Sequence, residues 1–241
     1  MKLSIITIHK GNELKLLIKT LRSIKRLRYH CSKIEFDQIL VIKSEATIKT
    51  SNKRFFKVIL NQDSSLYNAM NLGLKYSSGQ KILFLNSGDQ IYRKINYHMF
   101  QDQIFTNSCI SFKVQIIYKD YYFTNNVNKK FKCHNSFIAP NNNKIYFKEY
   151  LKITSDAEWM EQNINKNGIV YSDLILVEYQ GFGISDYPSF ESAISYYKER
   201  GLTKFILRII YLVSYKVIPR FIFFKLLAFK RGYHLKKNES N

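Results

Sequence analysis

Four short apolar runs, each closed by polar or turn-forming residues, divide the first part of the chain: LSIITIH (3–9), ILVI (39–42), FKVIL (56–60) and KILFL (81–85). Runs of this length with no polar alternation suit strands covered on both faces, as in the interior of a parallel sheet. Between them the period changes. Leu14, Leu17, Ile18, Leu21, Ile24 and Leu27 form one apolar stripe, with Asn12 placed to cap it. Leu66, Ala69, Met70 and Leu74 recur at helical spacing behind Ser64 and Ser65, whose hydroxyls suit the free amides of a first turn. Ser77-Ser78-Gly79 predicts the stop of that helix, with Gly79 in a left-handed cap. Strand, helix, strand in this order predicts an α/β fold with helices flanking a mostly parallel sheet.

Further on, Ser111 to Ile117 alternates and runs into aromatics, which predicts an antiparallel pair; Asn125 to Asn128 predicts a turn. Residues 153–159, ITSDAEW, open a helix in which Ser155 or Asp156 is a natural cap. Residues 170–179 predict a last strand, and the loop 180–189, with two glycines and Pro188, is placed to close over a ligand. From 204 to 229 the chain reads KFILRIIYLVSYKVIPRFIFFKLLAF, with five basic residues and no acid. Its longest apolar stretch is far below the ~20 residues a membrane span requires. Pro219 predicts a break into two helices. Basic heads on apolar helices suit the surface of an anionic membrane; the alternative is a helix packed on the rest of the fold.

At 241 residues, one main domain with an appendage is expected, and the division falls at residues 1–190 and 191–241. Three isolated cysteines, Cys31, Cys109 and Cys133, without a CxxC, argue against a disulfide framework or a zinc ribbon and for a reducing compartment. No signal peptide is expected at the start. The net charge of +20 selects anionic partners, such as nucleotide diphosphates, phospholipids or nucleic acid. No RNA-binding motif accompanies it, so nucleic acid is not an expected partner.

Asp89 stands just past the run 81–85, where open α/β sheets place their ligands. An Asp after Ser-Gly also suits a simple turn. LYNAMNLG (66–73) followed by ILFLNSGD (82–89) resembles the inverting family 2 glycosyltransferases of the GT-A fold that build bacterial surface polysaccharides. Their pattern is roughly Asp-x-Gly-Ile-Tyr-Asp-Ala-Met-Asn-x-Gly, then Phe-Leu-Asn-x-Gly/Asp-Asp. The resemblance covers roughly residues 3–180. It implies a Rossmann-like GT-A domain; the basic amphipathic helical tail at 191–241 lies outside the resemblance and is read from its composition. The implied reaction transfers a sugar from a nucleotide-sugar donor, a UDP-sugar above all, with inversion, to a lipid-linked glycan of the O-antigen or capsule type. The enzyme would be cytoplasmic and peripheral on the inner face of the plasma membrane.

The same resemblance assigns residues. Asp89 is the last acid of a DxD-like motif and would bind Mn²⁺ or Mg²⁺, which accept hard oxygen ligands from one or two carboxylates and substrate phosphates. Thr7, His9, Asp63, Asn71, Asn86 and Asp89 fall on the donor side. His9 equally suits an ordinary loop histidine; Asp63 a helix cap; Asn71 an exposed helix position. Asp156 would be the general base that takes the acceptor hydroxyl's proton, with Glu158 in reserve; a plain helix cap competes. His134 and Trp159 fall on the acceptor side, and His134 alternatively suits a metal ligand or a satisfied core histidine. Three positions depart from the family: Lys43 where an Asp meets the base, Asn68 for the Asp after Tyr, and Asn135 for a Gln. The competing class is a non-catalytic basic protein that docks on membranes or RNA.

Overall fold

A computed structural model describes residues 1–241 apart from 11–12, 44–55, 64, 119–120, 126–132, 143, 181–187, 231 and 238–241. The chain opens with β1 (Lys2–His9), α1 (Leu14–His30), β2 (Glu35–Lys43), β3 (Lys57–Asn61), α2 (Leu66–Tyr76) and β4 (Lys81–Phe84). β1 pairs in parallel with both β2 and β4, and β2 in parallel with β3. Every residue of β4 is buried, as its uninterrupted apolar run requires. Its other edge is antiparallel to β8 (Phe137–Pro140), so β4 is the seam where a parallel half meets an antiparallel one.

The antiparallel half is built from β6 (Cys109–Tyr118), β7 (Tyr121–Asn125) and β8. β9 (Ile169–Gln180) runs parallel to β6 and pairs with the short β5 (Gln90–Ile91). α3 (Tyr97–Ile104) and α4 (Ser155–Asn167) connect these strands. After α5 (Phe190–Arg200), α6 (Leu202–Val217) and α7 (Arg220–Lys230) flank Pro219, as expected. The chain then adds β10 (Tyr233–Lys237), so β9 is not the last strand. β10 is antiparallel to β7, and the sheet order is β10-β7-β6-β8-β4-β1-β2-β3.

Helix packing follows the apolar stripes with local differences. On α1, Leu17, Ile24 and Leu27 are buried, but Leu14 and Ile18 face solvent. Its expected cap, Asn12, lies outside the described residues, as does Ser64. Ser65 caps α2 by accepting the Asn68 N–H at 3.4 Å. α2 approaches β1 so closely that a Cβ on Gly73 would lie 2.4 Å from Ile6 Cγ2. Gly79 is not a left-handed cap. It is small because a Cβ there would meet the Ser4 backbone nitrogen at 2.5 Å.

The two helices after Gly201 part company. α7 buries Phe223, Phe224, Leu227 and Ala228 in the same core as Leu3, Ile5 and Phe112. Only Arg208 is buried on α6. Leu202, Ile206, Ile210, Val213 and Val217 all lie exposed on one α6 face. No helix among the described residues is long and apolar enough to cross a membrane.

Candidate active site at the carboxyl end of the sheet

β1, β2 and β3 end together, and their tips form a shallow cleft that includes His9, Lys10, Lys43, Asn61 and Asp63. Thr7 lies buried below it, and its Oγ1 has no hydrogen-bond partner among the described residues. His9 Nδ1 is 3.0 Å from Ser87 Oγ and ties the tip of β1 to the loop after β4. Burial lowers the His9 pKa, against the opposing pull of Glu13. Asp63 is exposed and accepts the Ser65 N–H at 2.8 Å, the turn geometry its residue type favours. Asn71 turns toward the 145–149 segment. Its Nδ2–H donates to the Phe147 carbonyl at 2.9 Å and Glu149 Oε1 at 2.7 Å, and its Oδ1 accepts the Phe147 N–H at 2.7 Å. Asn68 donates to Glu149 as well, at 3.1 Å. Most of the 180–189 loop, placed to close over a ligand, lies outside the described residues.

The loop 86–89 carries Asp89 out of β4. Gly88 sits at φ 108°, a left-handed value that glycine adopts without strain. Thr20 of α1 fixes this turn. Its hydroxyl accepts the Gly88 N–H at 3.0 Å and donates to the Asp89 carbonyl at 2.7 Å. The Asp89 carboxylate is partly buried, and Asn135 Nδ2–H donates to its Oδ2 at 3.3 Å. Burial pushes its pKa up to about 6, against the lowering influence of His134, Asn135 and the Asn86 backbone. A desolvated carboxylate with few donors favours a cation beside it.

The second carboxylate stands on the first turn of α4. Thr154, not Ser155 or Asp156, occupies the cap position. Asp156 Oδ2 lies 3.3 Å from His134 Nδ1, and its Oδ1 accepts the Ala157 N–H at 2.8 Å. Burial opposes its charge, but the His134 bond and charge and the backbone donors outweigh it and hold the carboxyl below the usual range. Tyr67 of α2 stands against it: desolvation first, then Asp156, raises the phenol's pKa. Glu199 of α5 secures the approach to α4 by accepting from Lys152 N at 2.7 Å, Thr154 N at 3.1 Å and Thr154 Oγ1 at 2.9 Å. Glu158 pairs instead with Lys148 at 2.7 Å and Arg200 at 3.5 Å.

His134 and Asn135 belong to one 3-10 turn, His134–Ser136, between the carboxylates. His134 reaches Asp156 and, through Nε2, Asn86 Nδ2 at 3.2 Å. Burial lowers its pKa less than Asp156 and Asp89 together raise it. Trp159 is placed differently from the acceptor-side position expected of it. It is 2 % exposed, donates Nε1–H to the Ile145 carbonyl at 2.9 Å and packs among Phe84, Phe137 and Phe147. It is core beneath the site.

The structure brings Asp89, Asn86, His134 and Asp156, each singled out from the sequence, to one place, linked through the His134–Ser136 turn; sequence reasoning did not single out every residue there. It missed Thr20 and Glu199, which lie on helices with no motif of their own. Among the described residues no three His, Cys, Asp or Glu side chains gather to hold a metal ion. Asp89, short of donors, suits a divalent cation whose remaining ligands are phosphate oxygens and water.

A mixed central sheet flanked by helices, with carboxylates past β4 and at the head of α4, is a GT-A fold. No protein-family model and no curated protein matches the sequence. Among solved structures, the chain is similar to S. aureus TarS 1–349 in complex with UDP-GlcNAc, with a TM-score of 0.59 and 19% identity over 94% of this chain and 76% of that one. It is likewise similar to S. aureus TarS 1–349 in complex with UDP, with a TM-score of 0.57, 19% identity, and 94% and 75% coverage. At this identity the likeness establishes the fold.

Proposed function

We propose that this chain is a metal-dependent inverting glycosyltransferase that uses a nucleotide-sugar donor, a UDP-sugar above all. The observation that carries the reading is the pair of carboxylates, Asp89 and Asp156, joined through one turn at the ligand-binding end of a GT-A sheet. Solved structures of similar fold hold UDP and UDP-GlcNAc. Asp89 would hold Mn²⁺ or Mg²⁺, which would neutralise charge on the departing diphosphate. Thr7, His9, Asp63 and Asn86 line the donor side, and Asn71 orders the segment beside it. Asp156, ionised and facing the same space, takes the proton of the acceptor hydroxyl. Attack opposite the leaving group then inverts the anomeric carbon by a single displacement, as in inverting glycoside hydrolysis.

The acceptor in this reading is a lipid-linked glycan of O-antigen or capsule type, met at the cytoplasmic face of the membrane. The exposed apolar face of α6 and an acid-free run from residue 201 to 237 support peripheral docking on anionic lipid. Ile206→Ser with Ile210→Ser tests this part without touching the buried face of α7. Both should release the protein from sedimenting anionic vesicles; unchanged sedimentation rules the docking out.

A thermal-shift titration with UDP, GDP, CDP and dTDP, each with and without Mn²⁺, tests the reading as a whole, since a ligand of the folded state raises its melting temperature. A shift with one nucleotide that requires metal is expected. No shift with any would overturn it in favour of a non-catalytic protein on this fold.

A further inference from the structure

Asp156 has to present one lone pair to an acceptor while its carboxyl plane stays fixed, and no covalent feature of α4 fixes it. The His134 ring makes two contacts on opposite sides, Asp156 Oδ2 at 3.3 Å from Nδ1 and Asn86 Nδ2 at 3.2 Å from Nε2. For the neutral imidazole these contacts select one tautomer. An ionised carboxylate only accepts, so Nδ1 carries the proton; Nε2 is then an acceptor, and the Asn86 amide nitrogen donates to it. The Asn86 Oδ1 is buried and has no partner among the described residues, and the amide's side-chain contact is with the ring. Asn86 itself is tied to the donor-side loop, where its carbonyl accepts the Asp89 N–H at 3.0 Å.

We propose that His134 is the positioning residue of Asp156: Asn86 fixes its tautomer, and its Nδ1–H holds the carboxylate in the orientation that receives the acceptor's proton. This rests on the glycosyltransferase reading above. Asn135 adds a parallel link, since its Nδ2–H donates to Asp89 while Cys133 Sγ–H donates to its Oδ1 at 2.7 Å. One turn therefore sets the base and the donor-side carboxylate relative to each other. The arrangement separates His134 from the roles of metal ligand and acceptor contact, and replacement separates it from an inert core histidine. A ligand or acceptor contact needs Nε2 free toward the cleft, and here Asn86 occupies it. An inert core histidine would leave turnover unchanged on replacement.

The test uses two isosteres in the full chain. Asn places an amide nitrogen where Nδ1 stands; Gln places one where Nε2 stands. UDP release from UDP-GlcNAc with Mn²⁺ reports turnover, and the UDP–Mn²⁺ thermal shift reports donor binding. His134→Ala and His134→Gln should lose about 100-fold in kcat, the scale of a misplaced reacting group, with donor KM unchanged. His134→Asn should recover to within about tenfold of the parent chain, because it restores the donor to Asp156. His134→Asn as slow as His134→Ala, His134→Gln as fast as His134→Asn, or a loss that appears in UDP binding instead of kcat overturns the assignment. A parent chain whose melting temperature none of UDP, GDP, CDP or dTDP shifts, with or without Mn²⁺, refutes the glycosyltransferase reading instead. The imidazole ¹⁵N shifts then decide the geometry alone: the Nδ1–H tautomer is expected, and the Nε2–H tautomer overturns it.

Discussion

Asp89 and Asp156 are the same residue type, both partly buried, on either side of one turn, yet their carboxyls are driven in opposite directions. Burial pushes Asp89 up to about 6. Asp156 suffers burial too, but His134 and the backbone N–H groups of a first helical turn hold it below the usual carboxylate range. Donor supply, not depth, makes the difference. Asp156 is kept as an anion by the protein itself and is ready to accept a proton. Asp89 is left short of donors. Two ionisation tendencies are thus written into two environments.

The sharpest way to break this contrast is Asp156→Asn, which should lower kcat about 1000-fold while leaving UDP–Mn²⁺ binding in place. Loss of binding instead would move Asp156 to the donor side. Asp89→Ala should do the opposite, weakening metal-dependent UDP binding by about 100-fold or more in a thermal-shift or calorimetric titration. Equal affinity with and without the carboxylate would refute the metal role. Acid sharpens the contrast. Metal binding requires Asp89 without its proton, so metal-dependent affinity should fall about tenfold per pH unit below about 6, where Asp156 is still ionised. A flat profile down to pH 5 would contradict the raised value.

The smallest effect concerns stability. The folded-state pKa of Asp89 lies above its ordinary value of 3.8, so the folded state favours the protonated acid. That preference is fully present below pH 3.8 and is lost as pH rises through about 6. Asp89→Asn should therefore raise the metal-free melting temperature at pH 7.5 by about 2–4 °C, and the gain should vanish below pH 4. A decrease at pH 7.5 would mean that the carboxylate is better satisfied than its neighbours indicate.

Much of this was legible in the sequence because local rules and tertiary demands agree there. Uninterrupted apolar runs became β1 and β4, Ser65 capped α2, and Pro219 divided α6 from α7. Where they disagree, the reading failed. Gly79 looks like a helix stop but is small because Ser4 crosses beneath it. Trp159, next to candidate acids, was placed by its neighbours in sequence, yet helical period turns it inward onto Phe147. α6 and α7 share a composition, and only the contacts of α7 with the sheet tell them apart. Thr20 and Glu199 act through the backbone of segments far away in sequence, which no local pattern records.

The pairing of β10 with β7 also bears on how the molecule is made. Tyr233 lies opposite Asn125, more than a hundred residues upstream. A ribosome must therefore deliver α4, β9 and three further helices before the outer edge of β7 acquires its partner. Until then the nascent chain carries an open strand edge rich in tyrosine and phenylalanine, the kind of surface on which unfinished chains stick to one another. Cutting the chain after α6 would make that waiting state permanent. A shortened form should therefore be recovered as aggregate, not as a smaller soluble protein.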